Sequence, residues 1–306
     1  MPERLAAIDV GTNTVLLVVA ERRAGVLAPV LERAEITRLG RGVDATGRLD
    51  PASIRDTVRV LADFAASARS LGASRIACVA TSAARDASNG ADFFEAARRA
   101  AGLVPEVISG DEEARLVWAS AFRDCGTAGG PLEVLDVGGG SSELSFGEGP
   151  LPRGRTSLQV GAVRLTERHV RSDPPSPAEV RRLRDAARDA LAPARGLAAP
   201  GGGRLVGVAG TVTTLSAVAQ ELPVYDAERV HGATLALAEV EALTARFAGL
   251  TVAERAALPG MEPKRADVIL AGAIVVAEAM ALLGFDRLTV SDRGVRWGLL
   301  YDRFGA

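Results

Sequence analysis

The sequence is poor in the residues that most often announce a chemistry. Histidine occurs twice, as His169 and His231, far apart along the chain, which argues against a histidine metal cage. Cysteine also occurs twice, as Cys78 and Cys125, with no C-x-x-C pair. That excludes a disulfide scaffold and a thiolate metal site, and fits a reducing cytoplasm. Only one of the 36 basic residues, Lys264, is a lysine, which reads as coding bias before function. Net charge is −2, so no global basic field invites nucleic acid or an acidic membrane. No long apolar stretch precedes Asp9, so no signal peptide is expected. The most apolar window, residues 268–284, carries Glu278 and falls short of the roughly 20 residues a span needs, so it reads as a buried helix.

What is present is enough for a packed protein. At 306 residues, 48% hydrophobic, the chain suggests about two α/β domains. Strands are expected at 5–10 and 14–20, around a tight turn. A helix follows at 51–71, with Asp50 as cap, Pro51 in the first turn and Gly72 as stop. Its apolar positions Ile54, Val58, Leu61 and Ala65 recur at helical spacing. Then come a buried strand at 75–80, a helix at 91–101, a short strand at 105–108 and a helix at 110–124. The loop 124–131 is the expected boundary, dividing the chain into 1–125 and 126–306. Beyond it, Ser176, Pro177 and Glu179 open a helix over 177–195 with a capping box. A surface loop at 196–203 leads to a strand running into a turn and a helix at 204–211. A long helix at 263–283, a strand at 287–292 and a last helix at 293–304 complete the reading; that last helix could pack back on the first domain.

The sequence writes one phrase twice: "AIDVGTNTVLLVV" at 7–19 and "VLDVGGGSSELSF" at 134–146. Glycine lets backbone N–H groups approach an anion, and small hydroxyls add donors. Gly11, Thr12 and Asn13 in the first copy, and Gly138, Gly139, Gly140 and Ser141 in the second, suit a phosphate. Asp9 and Asp136 cannot bind one directly; they can hold Mg²⁺ that does. A third glycine turn, "GVAGT" at 207–211, puts Gly210 and Thr211 at a helix start, where free N–H groups favour anions. "GGGSS" is not G-x-S-x-G, because Glu143 fills the last glycine position, so a serine-esterase reading fails.

These three turns, in this order, resemble the actin/Hsp70/sugar-kinase superfamily. Within it, "ATSAARDASN" (80–89), "VISGDEEARL" (107–116) and "VSDRGVRWGLLYD" (290–302) resemble the exopolyphosphatase/guanosine pentaphosphate phosphohydrolase (Ppx/GppA) family, in a short two-domain form. The resemblance implies two actin-like (ribonuclease H-like) domains with an interdomain cleft, in which Asp9 and Asp136 face one phosphate chain.

Hydrolysis of a phosphoanhydride needs an activated water and positive charge on the transferring phosphoryl. Asp111, Glu112 and Glu113 open a helix, where carboxylates also simply complement the dipole. The resemblance makes Glu113 the general base, with Glu112 the second choice. It places Glu143 by the metal beside Asp136, and Arg85, in a T-x-x-x-R pattern, on the phosphate. Arg38 and Arg41, in "TRLGRG", also match a family motif. Lys264 and Arg265 are expected to begin the long helix, where cations oppose the macrodipole and hint at an anionic partner.

The expected activity is Mg²⁺-dependent release of terminal phosphate from inorganic polyphosphate, with Mn²⁺ the alternative ion. Guanosine pentaphosphate is the rival substrate. An ATP-dependent kinase or ATPase, or a binding-only sensor, are the readings from other classes. No nucleic-acid or membrane partner is expected, and a homodimer follows only by family analogy.

Overall fold

The twice-written phrase becomes two sheets with matching strand order. The computed structural model describes residues 3–126, 129–196 and 203–305. Parts of the two expected loops, 127–128 and 197–202, lie outside the described residues. The chain divides into two units, one of Met1–Ser120 with Val295–Ala306, the other of Ala121–Gly294.

The first unit holds β1 (Arg4–Val10), β2 (Thr14–Arg23), β3 (Val26–Ile36), β4 (Ala73–Ala80) and β5 (Glu106–Val107), ordered β3-β2-β1-β4-β5. β1, β2 and β3 run antiparallel; β1, β4 and β5 run parallel. Its helices are α1 (Val43–Thr46), α2 (Pro51–Ser70), α3 (Ser82–Asp86), α4 (Gly90–Ala101) and the beginning of α5 (Gly110–Cys125). α2 starts as expected: the Asp50 carboxylate accepts from Ser53 N–H at 3.0 Å, a cap worth about 1 kcal/mol. It buries Ile54, Val58, Leu61 and Ala65 against Ile8, Leu17 and Phe93.

β3 lies outside the strands read from sequence. Pro29 interrupts its pattern and cannot donate to a ladder. The sheet tolerates it because β3 is an edge strand with a register shift opposite Val19 and Ala20. β4 is half-buried along its middle, and only Val79 and Ala80 are fully buried, so the expectation of a wholly buried strand is corrected.

The second unit holds β6 (Leu132–Val137), β7 (Ser142–Gly147), β8 (Gly154–Leu158), β9 (Arg204–Val208), β10 (Thr234–Ala236) and β11 (Arg287–Val290), ordered β10-β11-β9-β6-β7-β8. Without β10 this is the order of the first sheet again. Around it lie α6 (Ala162–His169), α7 (Pro177–Leu191), α8 (Ala209–Ala219), α9 (Ala227–Val230), α10 (Leu237–Ala248), α11 (Val252–Ala256) and α12 (Ile269–Leu283). The predicted capping box of α7 forms between Ser176 and Glu179. The helix stops at Leu191, before a tighter turn over Ala192–Ala194 that contains Pro193.

The long helix expected from 263 begins only at Ile269. Lys264 and Arg265 sit instead on a separate 3₁₀ turn, Pro263–Arg265, started by the Glu262 carboxylate accepting from Lys264 N–H. α12 is buried almost all round. Its one charge, Glu278, accepts from Arg184 and Arg188 of α7 at 2.8 and 2.7 Å, which keeps a buried carboxylate tolerable. Among the described residues no helix is long and apolar enough to cross a membrane.

The last helix, α13 (Val295–Phe304), belongs to the first unit.

Candidate functional site

In each unit the predicted residues gather at the carboxyl ends of the parallel strands, where α/β sheets bind ligands. In the first unit, Asp9 pairs in register with Leu16 of β2 and Val79 of β4, and is buried. The turn that follows is pinned by Gly11 N–H donating to Thr14 O at 2.9 Å. A Cβ on Gly11 would stand 3.0 Å from that same oxygen.

The carbonyls of this turn are committed to the segment after β3. Gly40 N–H donates to Thr12 O at 2.8 Å, and Thr37 and Arg38 N–H both donate to Asn13 O at 3.0 Å. Arg38 takes a left-handed φ of 55°, a strained bend between the two N–H groups on Asn13 O and the Gly40 N–H on Thr12 O. A peptide's N–H points away from its C=O. With the Thr12 and Asn13 carbonyls turned toward this brace, the N–H groups of Asn13 and Thr14 turn to the other side. The Asn13 Nδ2 donor is buried and has no acceptor among the described residues.

Arg85 lies on α3, just past the end of β4. Its Nη1 donates to Ile108 O at 2.8 Å and stands 3.6 Å from Glu113 Oε2. Its Nη2 is buried with no acceptor among the described residues. Ser109 caps α5, its hydroxyl accepting from Glu112 N–H at 3.1 Å. The three acids of that first turn separate by direction. Asp111 is exposed, Glu113 is buried, and Glu112 has both oxygens on Arg115, at 2.8 and 2.7 Å. The structure therefore brings Arg85 to Glu113 and turns Glu112 away into an ion pair.

The second unit repeats the turn. Gly138 N–H donates to Ser141 O at 3.1 Å, and a Cβ on Gly138 would stand 3.0 Å from that oxygen, as at Gly11. Here the brace is α6. Gly138 O accepts from Ala162 N–H, Gly139 O from Val163 and Arg164 N–H, and Gly140 O from Arg164 Nε at 2.7 Å. These bonds turn the N–H groups of Gly139, Gly140 and Ser141 away from α6, as a row of outward donors. Beside the turn, Asp136 pairs in register with Glu143 of β7, and Glu143 with Ser157 of β8, whose hydroxyl donates to Glu143 at 2.7 Å. Burial pushes the Asp136 carboxyl up to about 7.

Asp136 also pairs with Val208, so β9 carries the third glycine turn to the same edge. Ala209 takes a left-handed φ of 71° as α8 begins, and Gly210 and Thr211 form its first turn. The Arg265 guanidinium lies against Gly210, 2.4 Å from where a Cβ would be.

Among the described residues no group of three or more His, Cys, Asp or Glu side chains is gathered to hold a metal ion. What the second unit offers is two facing buried carboxylates. That suits Mg²⁺, which keeps several waters and binds through one or two carboxylates plus substrate phosphates.

Comparison with known proteins adds to this geometry. The model of the Ppx/GppA phosphatase family matches residues 18–305. The chain belongs to the Ppx/GppA family.

Its first glycine turn lies just upstream of that matched stretch. Exopolyphosphatase 2 of Mycobacterium tuberculosis is 43% identical over 310 residues, covering 97% of both chains. Among solved structures, an Aquifex aeolicus Ppx/GppA family member is 35% identical with a TM-score of 0.82, covering 99% of this chain and 98% of its own. A protein described as exopolyphosphatase-like is 32% identical with a TM-score of 0.91, covering 98% and 97%. The two sheets, with their repeated strand order, are the actin-like two-domain fold of this Ppx/GppA chain.

Two parts of the site were missed in sequence. One is the bracing glycine Gly40, inside the quoted "TRLGRG". The other is Gly161 with α6. Gly161 stands before the run "AVRL", and a Cβ there would lie 2.5 Å from Gly139 O. A glycine directly before an apolar, helix-period run was the available signal.

Proposed function

We propose that this chain is an exopolyphosphatase that releases terminal orthophosphate from inorganic polyphosphate. The observation that carries the proposal is the twin turn: two glycine turns whose carbonyls are tied back on one side, so that their N–H groups turn to the other side, where phosphate oxygens would lie. The buried, unshared donors Asn13 Nδ2 and Arg85 Nη2 support it, because such donors cost about 1–3 kcal/mol each unless a ligand accepts from them. The 43% identity to a protein named exopolyphosphatase supports the substrate.

In this reading Glu113 takes a proton from a water as that water's oxygen attacks the terminal phosphorus. The P–O bond to the bridging oxygen breaks, and the shortened chain leaves with that oxygen. Arg85 and the N–H groups of both turns, with Gly210 and Thr211, hold the phosphoryl oxygens as charge spreads over them. Arg38 braces the first turn through its backbone and offers a further cation. Asp136 and Glu143 would hold Mg²⁺, with Asp9 as a further carboxylate. When bound, the ion neutralises phosphate charge. The reading needs both half-sites to act on one phosphate chain.

The test is phosphate release from medium-chain polyphosphate, guanosine pentaphosphate and ATP side by side, with and without Mg²⁺. Release from polyphosphate above the other two, only with the metal, is expected. Preference for guanosine pentaphosphate reassigns the substrate, and turnover of ATP alone rejects the proposal. Glu113→Gln is expected to lower turnover by ~100-fold or more with binding retained. Turnover near the native level rejects Glu113 as the base.

A further inference from the structure

The segment that carries Glu113 is weakly held by its own sheet. β5 has two residues, both exposed; it pairs with β4 through Val79–Glu106 and Ala80–Val107, and Ile108 N–H adds one bond to Ala80 O at 3.1 Å. α5 springs directly from it. A general base must be held to a fraction of an ångström, and a two-residue edge strand does not supply that rigidity.

α13 does. Arg303 Nη2 donates to both carboxylate oxygens of Glu106, at 3.0 and 2.9 Å. Asp302 accepts from Arg115 Nη2 at 2.7 Å, and the same arginine grips both oxygens of Glu112. One helical face therefore holds β5 and the first turns of α5 together. At Gly298 the two helices touch backbone to backbone: a Cβ there would lie 1.9 Å from Leu116 O and 2.5 Å from its carbonyl carbon. Only glycine allows that depth. α13 is itself anchored to β2 and β3. Arg296 Nη2 and Trp297 Nε1 donate to Glu32 on β3, at 2.6 and 3.3 Å, and Arg22 donates to the carbonyls of Phe304 and Gly305. It spans the sheet from β3 to β5.

We propose that Gly298 and Asp302 of α13 are positioning residues for hydrolysis, setting through Leu116 and Arg115 where Glu113 stands. The proposal rests on the exopolyphosphatase reading above for Glu113's role. Leu116 is three residues past Glu113, nearly one turn along the same stiff helix. A side chain at 298 must push Leu116 away by ~1.5 Å to restore an ordinary contact, and a 1 Å misplacement can cost ~100-fold in rate.

Asp302→Asn is expected to lower kcat by ~10- to 100-fold at unchanged KM. Asp302→Glu, which keeps the carboxylate, should restore much of it. A part that only stabilises the fold would lower the melting temperature and leave kcat alone at temperatures well below it. The discriminating measurement is the double variant. Added to Glu113→Gln, Asp302→Asn should cost nothing more, because its effect runs through Glu113. An undiminished loss in that background overturns the proposal, as does an unchanged kcat in the single variant. Gly298→Ala, if it folds, should show the same pattern. A second readout needs no turnover: Asp302→Asn should speed amide hydrogen exchange over residues 110–116 and leave α2 unchanged. Unaltered exchange there overturns the proposal. If the native protein releases no phosphate from any substrate, the functional reading fails alone, and the exchange experiment still decides the positioning claim.

Discussion

Asp136 and Glu143 are register partners across β6 and β7, so two buried carboxylates face one another on one side of the second sheet. Like charges directly opposite in an antiparallel pair destabilise it, and burial removes the water that would screen them. The Ser157 hydroxyl relieves one oxygen of Glu143. A bound cation would offset the repulsion between the two carboxylates. Mg²⁺ is therefore expected to raise the melting temperature of the native protein. Asp136→Asn should raise it without Mg²⁺, by removing the facing charges, and should abolish the Mg²⁺ response. Thermal melts of both proteins across a Mg²⁺ titration check this. An Asp136→Asn protein that still responds fully would show the ion binds elsewhere.

Gly40 and Gly161 are the points where each brace meets its turn. A Cβ on Gly40 would lie 2.3 Å from Thr12 Cγ2, and on Gly161 2.5 Å from Gly139 O. The first neighbour is a side-chain methyl that can rotate; the second is backbone, which cannot yield without moving the turn. Gly161→Ala should therefore raise KM for polyphosphate more than Gly40→Ala does, and cost about 1–3 kcal/mol of stability as overpacking. Steady-state kinetics and denaturant melts of the two variants measure both effects. Equal and unaltered KM values would remove the turns from substrate binding.

His231 offers a pH signature in the second unit. Its Nδ1 lies 3.1 Å from Asp292 Oδ1 and 3.4 Å from Asp292 N. Neutral imidazole can accept from that N–H; protonated imidazole donates to the carboxylate instead. The bond to Asp292 holds the His231 pKa above its usual value, helped by Asp124 and opposed by burial and by Arg293, which pairs with Asp124 at 2.9 Å. A raised folded pKa gives stability that is complete below the unfolded value of about 6.5 and is lost as pH climbs through the folded value. The native protein should lose stability as pH rises above about 6.5, by an amount that His231→Gln does not show. Parallel pH dependences of the two melting temperatures would contradict this.

Much of the site was legible because it is local. Asp9 with Gly11 to Asn13, and Asp136 with Gly138 to Ser141, are short segments whose turn geometry follows from glycine and the flanking apolar strands. The same holds for the caps at Asp50 and Ser176. The misses have a common cause. β3 hid behind Pro29, which an edge position tolerates. The start of α12 was misplaced because Glu262 caps a separate turn over Pro263–Arg265. Edge placement and competing caps are decided by neighbours, not by the segment itself.

The choice between Glu112 and Glu113 shows the division most clearly. By itself the sequence determined that three acids open α5, that two glycine turns repeat, and that the chain folds as paired α/β layers, since propensity, capping and periodicity act within a few residues. Only the tertiary structure decided which acid turns inward. Arg115, itself held by Asp302, draws Glu112 to one side, while Glu113 is buried at Arg85. Arg115 is only three residues on, but Asp302 and Arg85 lie far away in sequence, and only packing brings α3 and α13 against α5.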